Sequence, residues 1–279
     1  MSRLRFTKMQ GAGNDYIYVN LSQEELSKSP AELAQMLCDR HFGIGGDGLV
    51  LIDKGQGTDL TMRMFNADGS EAEMCGNAIR CVAFYGLING LTDKKSVSVH
   101  TKAGVKQIEI LEVNPARIRV NMGVPDLRPA FLPARVEGER VLDQEFDFGG
   151  TKIRGSLVSM GNPHLVTFVD NLDTLDIETL GPLIEQDPRF PNRINIEFVQ
   201  VFSPERARQR TWERGSGETL ACGTGASAVL VAGALTGRLG RKAHITLLGG
   251  ELTLEWEGEG KPLFMTGGAV KVFDGELDY

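Results

Sequence analysis

The chain has 279 residues and a net charge of −7, with 41% hydrophobic and 24% charged residues. That reads as a soluble globular protein with ample core, long enough for one large domain or two of ordinary size. The acidic balance repels a phosphate backbone, and the densest basic stretch, Arg206 to Arg214, alternates as an exposed strand does, so no nucleic-acid partner is expected. The first eight residues lack the apolar core of a secretory signal. The most apolar run, Ala226 to Leu235, falls far below the ~18 residues needed to span a bilayer. A cytoplasmic protein with no membrane partner is therefore expected, its four cysteines (Cys38, Cys75, Cys81, Cys222) held as reduced thiols. None of them forms a C-x-x-C pair and only four histidines occur, so no metal site is expected.

Short strands punctuated by glycine dominate the pattern. Leu4–Met9 and Tyr16–Asn20 read as strands from alternation and β-branched content. A helix starts near Ser29, with Pro30 in its first position and Glu32 completing a capping box. Leu49–Asp53 and Leu60–Phe65 follow as strands. Cys75 to Leu87 then places Ile79, Val82, Ala83 and Leu87 on one helical face. Ser96–Thr101, Val105–Leu111 and Arg117–Met122 read as strands before Gly123-Val124-Pro125. The programme then restarts, with strands near Leu157, at Leu165–Val169, Ile194–Phe202 and Gln209–Trp212, and a helix from Cys222 to Leu235. Strands at Ile245–Leu248, Glu251–Trp256 and Ala269–Phe273 close the chain.

The restart can be tested residue by residue. A gap-free shift of 147 (222 − 75) superimposes Arg63 to Gly90 on Arg210 to Gly237. Arg63/Arg210, Glu71/Glu218, Cys75/Cys222, Gly76/Gly223, Val82/Val229, Gly86/Gly233 and Gly90/Gly237 coincide, and Gly13-Asn14 matches Gly161-Asn162 one residue further on. Two related domains are the simplest explanation. The chain contains only two Cys-Gly dipeptides, and they fall at equivalent points of the repeat.

Each Cys-Gly stands where a helix begins, beside free backbone N–H groups and the positive end of the macrodipole. Such a position would draw a thiol from ~8.5 toward ~7, so that thiol and thiolate coexist at cellular pH. The same N–H groups can cradle a carboxylate. Two such ends on opposite faces of a bound amino acid would supply a base and an acid, which is what inversion of an α-carbon needs. A single cysteine of this kind is more often a small buried residue. A matched pair in an internal repeat favours the chemical reading.

Six segments in order carry a resemblance to a known family: Gly11-Ala12-Gly13-Asn14-Asp15, Phe65 to Glu71, Cys75-Gly76-Asn77, Gly161-Asn162-Pro163-His164, Glu213 to Thr219, and Ala221 to Gly225. Together they resemble the diaminopimelate epimerase family from Phe6 nearly to the C-terminus. The resemblance implies an α+β fold of two pseudo-symmetric domains, each a curled, mostly antiparallel sheet or barrel around a central helix, with the active site in the cleft between them. The first domain would span 1–122, with the strand at 268–279 returning to it, and the second 123–267. Cys75 and Cys222 would be the acid/base pair. Asn14, Asn66, Gly76, Asn77, Asn162, Asn195, Glu213, Arg214, Gly223 and Thr224 would bind substrate, with His164 and Glu213 tuning thiol protonation. The implied reaction is cofactor-independent interconversion of LL- and meso-diaminopimelate, in lysine and peptidoglycan-precursor biosynthesis, by a homodimer.

Bottom-up chemistry agrees with those roles. Diaminopimelate has an amino-acid group at each end. Arg214 can grip a distal carboxylate bidentately, while Glu213 or an Asn oxygen can accept from a distal ammonium. The bland readings are a solvated charge pair for Glu213-Arg214, turn residues for the asparagines, and a satisfied structural ring for His164. One departure stands out: some members carry a substrate-contacting Gln where this chain has Gly48.

Other readings fit less well. Gly43 to Gly48 spells G-x-G-x-x-G but follows a helix and precedes a strand, the reverse of a dinucleotide-binding turn. Gly223 to Ala228 does open a helix, yet no acidic residue lies about 20 positions on to hold a ribose. A proline or hydroxyproline racemase shares the two-cysteine logic but gives Glu213-Arg214 no distal group to bind. The presence of both thiols argues against a phenazine-biosynthesis type of isomerase. A thiol redox switch and a pure ligand-binding protein are rivals of another class.

Overall fold

Residues that alternate between buried and exposed make strands of most of this chain, and two almost wholly apolar runs become the helices that the strands enclose. The computed structural model describes residues 3–279. In chain order its elements are β1 (Arg3–Gly11), β2 (Asn14–Asn20), α1 (Pro30–Leu37), β3 (Gly48–Lys54), β4 (Leu60–Asn66), β5 (Glu71–Ala72), α2 (Gly76–Ile88), β6 (Ser96–Thr101), β7 (Gly104–Val113) and β8 (Ala116–Gly123). There follow β9 (Gln144–Phe148), β10 (Thr151–Ser159), β11 (Pro163–Phe168), α3 (Ile177–Glu185), β12 (Asn195–Ser203), β13 (Arg206–Glu213) and β14 (Gly217–Thr219). The chain ends with α4 (Gly223–Leu235), β15 (Lys242–Leu247), β16 (Gly250–Trp256), β17 (Leu263–Gly267) and β18 (Val270–Asp278). It divides into two compact units, one of Met1–Val120 with Thr266–Tyr279 and one of Asn121–Met265.

In the first unit β1 lies antiparallel to both β18 and β2. β2 runs parallel to β3, and β4 pairs with β3, β5 and β6, the last in parallel. β7 and β8 complete the antiparallel end. The sheet curls round α2, which packs on β1, β2, β4, β6 and β7. Every residue of α2 from Gly76 to Gly86 is buried. A helix buried on all sides belongs inside a sheet, so the single apolar face read from the sequence understates its enclosure. α1 begins as expected: Ser29 and Glu32 form a reciprocal capping box with Pro30 in the first turn.

The second unit repeats this plan. β11 runs parallel to β12, β13 pairs antiparallel with β12 and β14, and β13 lies parallel to β15, which turns back into β16. β9 and β10 extend the other side. α4 packs on β10, β11, β12, β15 and β16. The aligned arginines and glutamates of the repeat form the same ion pair twice. Arg63 Nε lies 2.8 Å from Glu71 Oε1, and Arg210 Nε lies 2.6 Å from Glu218 Oε1. Each pair straps a short strand to the strand preceding its Cys-Gly turn. α3 is the helix the sequence pattern does not announce: Gly181-Pro182 reads as a turn, and Asp176 caps the helix nonetheless.

Among the described residues no helix is long and apolar enough to cross a membrane. The α1 cap gives a stability test. Ser29→Ala should cost about 1 kcal/mol and Ser29→Gly only a few tenths, read from denaturant midpoints at unchanged slope. Equal loss in both variants would mean that the hydroxyl cap contributes nothing.

Candidate active site

In the first unit Cys75 is the N-cap of α2, with extended backbone at φ −128° and ψ 125°. Its sulfur accepts from the Ala78 amide at 3.5 Å, taking the place a Ser or Asp oxygen would hold. Cys75 Sγ also lies 3.3 Å from Asn14 Oδ1, and Asn77 Nδ2 lies 3.5 Å from the same oxygen. Asn14 is delivered there by Gly13, whose φ of +82° favours glycine; Gly161 repeats that conformation at +96° before Asn162.

The Asn14 carboxamide is held one way round. Its Nδ2 donates to Asp47 Oδ2 at 2.6 Å, and the same carboxylate oxygen accepts from the Asp15 amide at 3.0 Å. Arg40 bridges Asp47 and Asp15, while Lys8 pairs with Asp15 at 2.6 Å. Burial would raise the Asp15 carboxyl, but hydrogen bonds and charge from Arg40 and Lys8 outweigh it and hold the group below its usual range. With its amide nitrogen committed to Asp47, Asn14 turns a carbonyl oxygen toward Cys75. The thiol hydrogen therefore has an acceptor waiting.

Further residues of this unit are placed by the same strands and helix. Tyr16, two residues on from Asn14 on the same face of β2, is buried. Burial first, then the neighbouring Cys75, pushes its phenol well above the ordinary range, so it keeps its hydrogen. Gly48 sits opposite Tyr16 in the β2–β3 pair. A Cβ there would stand 2.3 Å from the Phe65 carbonyl and 2.9 Å from the Tyr16 ring, so position 48 has no room for a side chain. Arg80 is fully buried, and donates to the carbonyls of Gly268 at 3.0 Å and Gly76 at 3.1 Å, tying down the first turn of α2. Asn66 lies at the end of β4, where Nδ2 donates to Ser70 Oγ at 3.0 Å.

In the second unit Cys222 is the N-cap of α4, with φ −122° and ψ 107°. Its sulfur accepts from the Gly225 amide at 3.3 Å and lies 3.4 Å from Thr224 Oγ1. Asn162 Nδ2 donates to Thr224 Oγ1 at 3.2 Å, and Asn162 Oδ1 lies 3.0 Å from His164 Nε2. His164 Nδ1 in turn lies 2.8 Å from Glu197 Oε1. Gln209 Nε2 and Thr211 Oγ1 each donate to Glu197 Oε2 at 2.6 Å. Strand geometry assembles this set: β11 and β12 run in parallel with His164 opposite Asn195, and Glu197 faces Thr211 across β12–β13.

The Cys222 thiol departs from the expectation for a helix start. Burial, then the charges of Glu213 and Glu197, push it well above the ordinary thiol range, although Thr224 and the Gly225 amide oppose the shift. Only 6% of the residue is exposed, so the desolvation of a thiolate outweighs the helix end. Cys38 and Cys81 are buried and pushed up to about 11, mainly by burial, which suits inert structural thiols.

Of the remaining expected residues, Asn195 is buried and satisfied by protein: Nδ2 donates to the Pro163 carbonyl at 2.8 Å, and Oδ1 accepts from the Arg214 amide at 3.0 Å. It thereby sets the backbone at Glu213-Arg214. Arg214 is exposed, with Nη1 3.2 Å from the Asn192 carbonyl, and Glu213 carries its charge toward Cys222. Gly76, Asn77 and Gly223 are buried in the first helical turns, and Thr224 is half-buried. Donor atoms of His164, Glu197 and Cys222 lie within 4.8 Å of one another. Both Glu197 oxygens are already engaged by protein donors, which makes this a hydrogen-bonded cluster more than a cage for a cation.

Sequence reading missed Tyr16, Asp47, Arg80, Glu197, Gln209 and Thr211. One signal was available for Glu197: a lone carboxylate within Asn195-Ile196-Glu197-Phe198-Val199, where an apolar strand has no use for a charge unless it is paired.

A family model described as diaminopimelate epimerase matches residues 6–127 and 156–272. The chain is 50% identical over 277 residues to a diaminopimelate epimerase of Acetivibrio thermocellus, covering 99% of each protein. It is 47% identical to one of Methanococcus maripaludis, covering 99% of this chain and 100% of that one. Among solved structures, a phenazine biosynthesis protein of the PhzF family from Bacillus anthracis superimposes with a TM-score of 0.73 at 18% identity, covering 100% of both chains. A hydroxyproline epimerase from Agrobacterium vitis gives 0.72 at 16% identity, covering 99% of this chain and 92% of that one. Those structures share the α+β fold, the sequences share far more, and the chain belongs to the diaminopimelate epimerase family.

Proposed function

We propose that this chain interconverts LL- and meso-diaminopimelate by moving one α-proton between two thiols, Cys75 and Cys222, without a cofactor. The observation that carries the reading is the matched placement of these thiols, each an N-cap sulfur on an enclosed helix and each linked to an asparagine that follows a left-handed glycine, Cys75 directly and Cys222 through Thr224. In this proposal the two thiols address opposite faces of the substrate α-carbon. One, as thiolate, takes the proton; the other, as thiol, returns one to the far face. Negative charge gathers on the reacting carboxylate, and the backbone amides of Gly76-Asn77 and Gly223-Thr224 receive it.

Asn14, Asn66, Asn77 and Asn162 hold the substrate's polar groups. Arg214 takes the distal carboxylate and Glu213 the distal ammonium. Asn195 acts by fixing the strand end that carries them. His164 and Glu213 tune the thiols. Before substrate arrives, burial and two carboxylates favour the thiol form of Cys222, and the Cys75 sulfur faces the Asn14 carbonyl oxygen. A substrate ammonium adds positive charge at the moment a thiolate is needed. The reaction serves lysine and peptidoglycan-precursor synthesis in the cytoplasm. A homodimer is proposed with it, supported by the exposed apolar residues Val270, Val272 and Phe273 on β18.

Incubation of reduced protein with either diaminopimelate isomer in D2O should give interconversion with deuterium at the inverted centre. Cys75→Ala and Cys222→Ala should each lower the rate by at least about 10³-fold. Exchange with proline or hydroxyproline alone would transfer the mechanism to another substrate; undiminished exchange in either variant would remove that thiol from it. The rate should also be bell-shaped in pH, because one thiol must be ionised and the other protonated. The raised Cys222 thiol should remain protonated through neutral pH and ionise only above the ordinary thiol range, as followed by thiolate ultraviolet absorbance. Full ionisation of Cys222 in the free protein at neutral pH contradicts that account.

A further inference from the structure

α3 connects the parallel strands β11 and β12 and packs on β12 and β14. A Cβ on its Gly181 would stand 2.2 Å from the Trp212 ring, so the glycine that reads as a turn in the sequence is the seat of that indole. The last residue of α3, Glu185, is buried. Its Oε2 accepts from Trp212 Nε1 at 2.8 Å, and its Oε1 accepts from the Gly215 amide at 2.9 Å and from Arg193 Nη1 at 3.3 Å. An indole N–H, a peptide N–H and a guanidinium can only donate, and a carboxylate can only accept, so residue type fixes the sense of every bond. These three partners surround Glu213-Arg214. Trp212 precedes the pair, and Gly215 follows it at φ +79°, in a turn closed by the Ser216 amide on the Glu213 carbonyl at 2.9 Å. Arg193 adjoins Asn192, whose carbonyl accepts from Arg214 Nη1 at 3.2 Å. Arg193 itself sits at φ +57°, which few residues other than glycine adopt, so its link to Glu185 holds the loop in a shape the backbone alone disfavours.

We propose that Glu185 is a positioning residue for recognition of the distal end of the substrate. By holding Trp212, Gly215 and Arg193 it fixes the backbone of Glu213-Arg214 and the Asn192 carbonyl that directs the Arg214 guanidinium. This rests on the reading of Glu213 and Arg214 as the ligands of the distal ammonium and carboxylate. Asn195 ties down one amide of the pair, at Arg214, and Glu185 ties down the residues on either side. Its loss therefore loosens the grip on the distal group and leaves the proton transfer to proceed once substrate is bound.

Glu185→Gln is the test. A carboxamide keeps one acceptor oxygen and turns two hydrogens toward a donor, so either Trp212 or Gly215 loses its partner. The KM for diaminopimelate should rise about tenfold while kcat stays within about threefold of the parent value, which is the pattern of lost substrate binding. An unchanged KM overturns the proposal, and so does a fall in kcat that matches or exceeds the rise in KM. If Glu185→Gln does not fold, Arg193→Met removes one donor from an exposed position; KM should then rise roughly threefold, and a parental KM overturns the proposal. Arg214→Ala, measured beside them, separates the proposal from the reading beneath it, and should lower kcat/KM by at least about 100-fold. If kcat/KM holds in Arg214→Ala, the distal-ligand reading fails and the proposal falls with it. If kcat/KM drops there while Glu185→Gln keeps the parental KM, the reading stands and the proposal alone is overturned.

Discussion

The bond on which the rest of the site depends is the one from a backbone amide in the first helical turn to a cysteine sulfur at the N-cap. It fixes the position of a reactive atom by the same geometry that starts the helix, so placing the thiol requires no separate scaffold. In each unit the helix is enclosed by sheet, which makes its first turn a rigid platform and leaves the amides of Gly76-Asn77 and Gly223-Thr224 on a defined line. Enclosure also has a cost. A thiolate at the end of a buried helix loses its water, and for Cys222 that loss exceeds what the helix end returns.

The two halves solve the problem of holding that sulfur in different ways. At Cys75 the partner is a carbonyl oxygen, turned toward the thiol because Asp47 has claimed the Asn14 amide nitrogen. At Cys222 the partner is a hydroxyl, Thr224, reached through Asn162, His164 and Glu197. A carbonyl oxygen beside one sulfur and a hydroxyl beside the other give the pair different surroundings on a duplicated framework. The framework itself is kept closely: the Arg63–Glu71 and Arg210–Glu218 pairs hold equivalent short strands against equivalent turns. Duplication preserved the platform and left the side chains around each sulfur to diverge.

Much of this was legible before any coordinates. The capping box at Ser29 is local, since its two bonds join residues three apart, and the strand and helix runs follow from alternation and apolar spacing. The repeat centred on Cys75 and Cys222 was visible in part because Gly13/Gly161 and Gly90/Gly237 sit at φ values that other residues rarely adopt. α3 was not legible, because Gly181-Pro182 carries a turn signal that packing overrides. The full burial of Arg80 was not legible either: its partners include the Gly268 carbonyl, 188 positions away.

The sequence by itself determined which atoms could do chemistry, because residue type, helix start and internal repeat are all set over short distances along the chain. Only the tertiary structure decided the state in which those atoms rest. Whether a thiol is raised or lowered depends on how much water is excluded and which carboxylates approach, and Glu197 reaches its position by the pairing of β12 with β11 and β13. Local pattern selects a functional group, and the dielectric and charge that tune it are properties of the packed interior.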